Sequence, residues 1–342
     1  MHATLRRGAV PFLLVLALAG CSDGSAGHQA DVIPAPKPGK LSTFALSAID
    51  KKGDLDSAAE NPHSSVVSDR SGNIYALNGD DSPGADVLKV TPSGEISRFA
   101  HIDADYGSYG MATAGNDGVF TAGPSGLIHI DRHGTSKPLT APDEIKQPQP
   151  IGMRPDGSFI VVDGGSVWSL KGAQAAKVYT FPKKEGIPSG TVDADGAIYL
   201  QAKQSNEFVI LTPGHNPRSL PLTGKLPGFN KTFSALSVFT MTPAYGHAGV
   251  YATLLDVDSG EHGSAYIVHM KADGSVTALA KGTAGNATCR PKQSYPALDS
   301  PCFVPWHVVQ SNRRIIALGG PSVALEDKDH PYPALVVPTP AN

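Results

Sequence analysis

The chain has 342 residues, 37 of them glycine and 29 proline but only five methionine, and a formal net charge of -3. That turn-rich composition excludes a helical bundle, and the lack of a basic cluster excludes a nucleic-acid-binding surface. Length alone is compatible with one large domain or two average ones.

At the N-terminus, Arg6 and Arg7 precede an apolar run from Ala9 to Ala19. The run is too short to cross a hydrocarbon core of about 30 Å as a helix, but it has the length of a signal h-region. It ends in Leu18-Ala19-Gly20-Cys21 and is followed by the small, polar Ser22-Asp23-Gly24-Ser25. This resembles the lipobox of bacterial lipoproteins, in which the cysteine is acylated and becomes the new N-terminus. An ordinary secretory signal with a chance cysteine is the alternative. The paired arginines lack a surrounding twin-arginine motif. Residues 1–20 therefore read as a lipoprotein signal peptide and residues 21–40 as a Pro-stiffened tether. The resemblance implies a cell-envelope protein outside the cytoplasmic membrane, held there by two acyl chains at Cys21.

From residue 41 onward a pattern repeats. Asp69-Arg70-Ser71-Gly72-Asn73-Ile74-Tyr75 returns as Asn116-Asp117-Gly118-Val119-Phe120, as Pro155-Asp156-Gly157-Ser158-Phe159-Ile160 and as Asp193-Ala194-Asp195-Gly196-Ala197-Ile198-Tyr199. Weaker copies start at Gly246 and Gln310. A second turn signature follows at Thr91-Pro92-Ser93-Gly94, Asp131-Arg132-His133-Gly134, Leu170-Lys171-Gly172, Thr212-Pro213-Gly214 and Ala272-Asp273-Gly274. A polar residue leading into a glycine, with β-branched or aromatic residues after it, is hairpin chemistry. The spacing of roughly 40 to 60 residues is that of four-stranded propeller blades.

The phrase from Val66 to Phe99, with D-x-x-G-N-I-Y and then V-L-K-V-T-P-S-G, is similar to an NHL repeat, and the chain from 41 to 338 resembles NHL-repeat and gluconolactonase-like propellers. The resemblance implies an all-β fold: a six-bladed β-propeller of four-stranded antiparallel blades. Its inner strands are expected at 64–68, 110–114, 150–154, 190–194, 236–242 and 304–310. The sixth blade lacks an outer strand, which residues 41–47 are expected to supply; residues 339–342 are left as a tail.

In such a meander the tight glycine turns share one face and the long connections share the other. The long-loop side collects carboxylates, while Arg70, Arg98, Arg132, Arg154, Arg313 and Arg314 fall on the tight-turn side, so an acidic functional face is expected. Ligands of propellers gather where inner strands begin, which nominates His63, Tyr109, Gln149, Phe233, Trp306 and His307. Buried or packed roles are the alternative for the histidines and the tryptophan. Lactonase-like relatives hold a divalent ion with a mouth glutamate, asparagines and an aspartate, a set not found at these positions. Asp256, Asp258 and Glu261 alternate before and after Gly260, as in a calcium loop, but lack the remaining ligands of an EF-hand; an acidic hairpin loop is the other reading. No motif demands a cofactor, and a divalent cation at those carboxylates is the candidate. With Cys21 acylated, Cys289 and Cys302 remain as a pair in an oxidising compartment, expected as a disulfide. The function expected is a monomeric binding module for a protein or small molecule on the acidic long-loop face. A lactonase- or lyase-type enzyme at the channel mouth is the alternative.

Overall fold

The computed structural model describes residues 33–45, 66–78, 84–102, 110–181, 189–201, 208–219, 221–256, 263–283, 289–290, 292–302, 304, 306–319 and 334–340. The signal-like segment, Cys21, His63, Tyr109, Asp258 and Glu261 lie outside them.

After β1 (Lys40–Phe44), blade one is β2 (Val66–Ser68), β3 (Ile74–Asn78), β4 (Ala85–Val90) and β5 (Ile96–Ile102). Blade two is β6 (Met111–Thr113), β7 (Val119–Gly123), β8 (Gly126–Ile130) and β9 (Ser136–Leu139). Blade three is β10 (Gln149–Met153), β11 (Phe159–Asp163), β12 (Ser166–Lys171) and β13 (Gln174–Thr180). Blade four is β14 (Ser189–Val192), β15 (Ile198–Gln201), β16 (Phe208–Leu211) and the short β17 (Arg218–Ser219). Next come β18 (Thr223–Lys225) and blade five: β19 (Leu236–Pro243), β20 (Val250–Asp256), β21 (Ser264–Met270) and β22 (Ser275–Thr283). Finally, β23 (Ser294–Pro296) precedes β24 (His307–Ser311), β25 (Arg314–Leu318) and β26 (Ala334–Pro338) of blade six.

These strands form six sheets, each a meander from an inner to an outer strand. Adjacent inner strands contact one another all the way round, so the ring is closed. Second strands such as β7 and β25 are buried along their whole length because neighbouring blades cover both sheet faces, whereas the outer β13 is almost entirely exposed. Six apolar clusters result, one at each blade junction. The junctions between blades, not a single central core, carry the burial.

The tight turns share one local chemistry. In blade one, Gly72 donates its N–H to the Asp69 carbonyl at 3.0 Å while Asp69 N–H reaches the Asn73 carbonyl at 3.0 Å. Gly72 takes φ +82°, and a side chain there would sit 2.6 Å from the Asn312 backbone nitrogen, so both conformation and close approach require glycine. The Asp69 carboxylate locks the turn by accepting from Asn73 N at 2.9 Å, Asn73 Nδ2 at 2.8 Å and Tyr75 OH at 3.0 Å.

Blade six closes as the sequence suggests, with β1 antiparallel to β26 (Thr43 opposite Leu335). Two blades nevertheless depart from the expected four strands. β23 adds outside β1, with Leu41 opposite Tyr295, and β18 adds outside β22 in parallel. Each covers an otherwise unpaired edge. The packed body also begins before residue 41. Ile33, in the stretch read as tether, is fully buried between blades six and one, and its carbonyl accepts from Arg314 Nη1 at 2.6 Å. The other Arg314 nitrogen donates to the Pro92 carbonyl at 2.7 Å. Cys289 and Cys302 form the expected disulfide, with Cα atoms 4.9 Å apart.

Candidate functional site

The six inner strands surround a narrow channel. Its free space, about 30 Å³, is lined by Val66, Met111, Gln149, Thr191, Thr240 and Met241 among others. That volume holds no more than one or two water molecules, so this part of the channel is a packed seam. Gln149 thus sits where expected, at the channel's long-loop end.

The other nominated residues that are described, Phe233, Trp306 and His307, pack against neighbouring elements. His307 is fully buried at the start of β24. Trp306, just before it, stacks on Phe239 with ring centroids 5.5 Å apart at 28°. Its carbonyl accepts from Thr240 Oγ1 at 2.7 Å and Thr253 Oγ1 at 2.8 Å, and Val308 N–H donates back to Thr240 Oγ1 at 3.0 Å, fastening blade six to blade five. Phe233, in the 3-10 turn Phe233–Ala235, packs near Phe229 on the core between blades four and five. Gln201 is spent on the backbone, its Oε1 accepting Val238 N–H at 2.8 Å. The half-buried Phe239–Trp306 stack is the aromatic surface these elements leave at the long-loop side.

Asp256, the described member of the candidate calcium set, is only 6% exposed, and its carboxylate receives Lys231 Nζ at 2.9 and 3.2 Å. A lysine in that place competes with a cation for the same oxygens. Among the described residues no three His, Cys, Asp or Glu side chains are grouped as a metal site.

At the opposite end of the channel the structure assembles a concavity that the repeats do not announce. It encloses about 220 Å³ between Arg70, Thr113, Asn116, Met153, Arg154, Val192, Asp193, Pro243 and Tyr245. Tyr245, just after β19, forms its inner wall. Gln310 grips that residue's backbone, Oε1 accepting Tyr245 N–H at 2.7 Å and Nε2 donating to its carbonyl at 2.8 Å. The Tyr245 hydroxyl crosses to donate to the Ser68 carbonyl of blade one at 3.1 Å, and burial pushes its pKa up to about 12. Arg70 lies over the Tyr245 ring at 6.0 Å. The half-buried Arg154 donates Nε–H to the Gly196 carbonyl at 3.2 Å, and burial holds its pKa below the usual guanidinium value. Asp193 Oδ1 accepts from Asp195 N at 3.0 Å and Ala197 N at 2.9 Å, but burial outweighs these bonds and raises its pKa.

The expected charge polarity of the two faces does not hold for the tight turns. Carboxylates of the turns themselves, among them Asp117, Asp131, Asp156, Asp195 and Asp273, accompany the arginines, because Asp caps the turn by accepting its backbone N–H groups, as Asp131 does for His133 and Thr135. Arg98 is paired along the blade side with Asp86 at 3.0 Å. Arg154, Asp193 and Tyr245 follow inner strands, whereas the residues expected from the sequence precede them. The available signal was positional: each stands one or two residues after an inner strand, where six chain segments converge.

A broader groove of about 890 Å³ runs outward from Tyr245 between blades five and six, past His247, Leu279, Arg313 and Pro338 to Leu298, which is 43% exposed.

No family model and no curated protein matches the sequence. The structure is similar to virginiamycin B lyase from Staphylococcus aureus, at 12% identity over 88% of this chain and 99% of that one, with a TM-score of 0.47. It is similar to a gluconolactonase from Xanthomonas campestris, at 14% identity over 81% of this chain and 86% of that one, with a TM-score of 0.47. A protein of unknown function from Bacteroides thetaiotaomicron gives a TM-score of 0.51 at 11% identity, over 87% of this chain and 75% of that one. Architecture and likeness together make this chain a six-bladed β-propeller, and at such identities the likeness extends to the fold alone.

Proposed function

We propose that this protein is a lipid-anchored, extracytoplasmic binding propeller that takes a protein or small-molecule ligand on its long-loop face. The observation that supports this reading is how differently the two ends of the blades are built. Tight turns reuse one short hydrogen-bonded motif. The long connections of blades five and six instead carry the added strands β18 and β23, the Cys289–Cys302 disulfide, the Lys231–Asp256 ion pair and the Phe239–Trp306 stack. Loops held on a rigid scaffold are where binding proteins place their specificity. The lipobox-like Leu18 to Cys21 supports the anchor, and the disulfide suits an oxidising compartment.

Two measurements test this. Labelling with a fatty-acid precursor is expected to mark the wild type and not Cys21→Ala; equal incorporation removes the anchor. A thermal-shift screen of the purified chain against divalent ions, lactones, sugars and peptides is expected to find a ligand that raises Tm. Its effect should weaken about tenfold or more in Phe239→Ala, with no turnover of the compound. Hydrolysis or elimination of a lactone by the wild type would instead establish the enzyme reading.

A further inference from the structure

We propose that the tight-turn mouth of the central channel is a second binding site, which takes a small monocarboxylic acid with its carboxylate between Arg70 and Arg154 and its carbon chain against Met153, Val192 and Pro243. This is independent of the function proposed for the long-loop face.

Arg70 and Arg154 line the same cavity of about 220 Å³, and neither forms a salt bridge among the described residues. Arg154 uses Nε on the Gly196 carbonyl, and its terminal nitrogens donate to no other described residue. Asp156 acts on Arg154 from beyond contact distance, so an anion in direct contact would still stabilise this half-buried guanidinium, whose planar fork of donors matches a carboxylate. Burial already depresses the Arg154 pKa.

The remaining walls choose among anions. Met153, Val192 and Pro243 present apolar surface to a short carbon skeleton, and the volume is below that of drug-sized pockets. Asp193 spends Oδ1 on two backbone N–H groups and lies beside the Tyr199 hydroxyl, so its carboxylate already has polar company and adds negative charge to the wall. That carboxylate repels a second carboxylate, so a monocarboxylic acid fits better than a diacid. Tyr245, held by Gln310 and Ser68, makes the inner wall before any ligand arrives, which lowers the ordering cost of binding.

The test is isothermal calorimetry on the full-length chain with butyrate, succinate and sulfate at constant ionic strength. Saturable binding is expected for butyrate, weaker for succinate. Replacing one charge-assisted partner, in Arg154→Met or Arg70→Gln, should weaken it about tenfold or more. Arg132→Gln, on an exposed turn of the same face outside the cavity, should bind as wild type. Arg70 is exposed, so its variant reads binding even where Arg154→Met does not fold. Absence of saturable binding, an equal response to sulfate, or wild-type affinity in Arg70→Gln overturns the proposal.

Discussion

Blade one and blade six have the same four-strand meander at their centre but are assembled in opposite ways. Blade one is continuous from Val66 to Ile102, and each of its strands pairs with the next in sequence. Blade six is drawn from four separate segments, and the bonds that close it span nearly the whole chain. Thr43 Oγ1 donates to the Arg290 carbonyl at 2.6 Å and accepts Gln293 N–H at 3.0 Å, while Arg314 reaches Ile33 and Pro92. A blade made of local contacts forms with little loop-closure entropy, whereas the closing blade orders distant segments before its contacts are made. The ring is therefore most vulnerable where it closes.

The largest expected effect follows from that contrast. Leu41 in β1 is fully buried between blades five and six, so Leu41→Asp places an unpaired carboxylate in an apolar junction and should cost more than about 4 kcal/mol, enough to prevent closure. The matching change on the outer strand of blade one, Ser97→Asp, is exposed and should stay within about 0.5 kcal/mol. Circular dichroism melts decide it, and similar Tm values for the two variants would erase the distinction. A second change acts beside the closing strand. Cys302→Ser opens a crosslink between residues 13 apart and should cost about 3 kcal/mol in chemical denaturation, as should reduction of the wild type. A midpoint unmoved by either would mean that the β1–β23 pairing holds this connection alone.

The smallest effect concerns a local turn far from the closure. Burial raises the Asp193 pKa above 3.8, so the folded protein holds that proton more tightly than the unfolded chain. Stability from this group is therefore greatest at low pH and declines as pH rises from about 3.8 through the folded value. Asp193→Asn keeps an oxygen acceptor for Asp195 and Ala197 N–H but loses the charge. Relative to wild type it should gain stability as pH rises through that window, by less than about 1 kcal/mol. Denaturation at several pH values between 3.5 and 7 reads this, and a gain that shrinks with rising pH would contradict the assignment.

Much of the fold was legible because its cause is local. A polar residue capping a turn, a glycine at positive φ and a run of Ile, Val and Tyr after it mark each hairpin wherever they occur, as from Asp69 to Tyr75 and from Asp193 to Ala197. The same motif keeps its partners but not its tightness: Tyr75 OH reaches Asp69 at 3.0 Å, while the corresponding Tyr199 hydroxyl lies beside Asp193 in a looser contact. The fifth strands were not legible. Thr223–Lys225 and Ser294–Pro296 have no strand pattern of their own and become strands by pairing with edges already present.

The candidate sites divide in the same way. Trp306 and His307 stand at the start of an inner strand as their position implies, yet packing against Phe239 and complete burial give them structural work. Strand period and turn chemistry by themselves determined six hairpin units, the inner strands and the need for an N-terminal strand to complete the last blade. Only tertiary structure decided what meets at the channel ends. Arg70, Arg154, Asp193 and Tyr245 come from four blades, one side chain from each, and no local pattern distinguishes a residue that will face three distant partners from one that will face water.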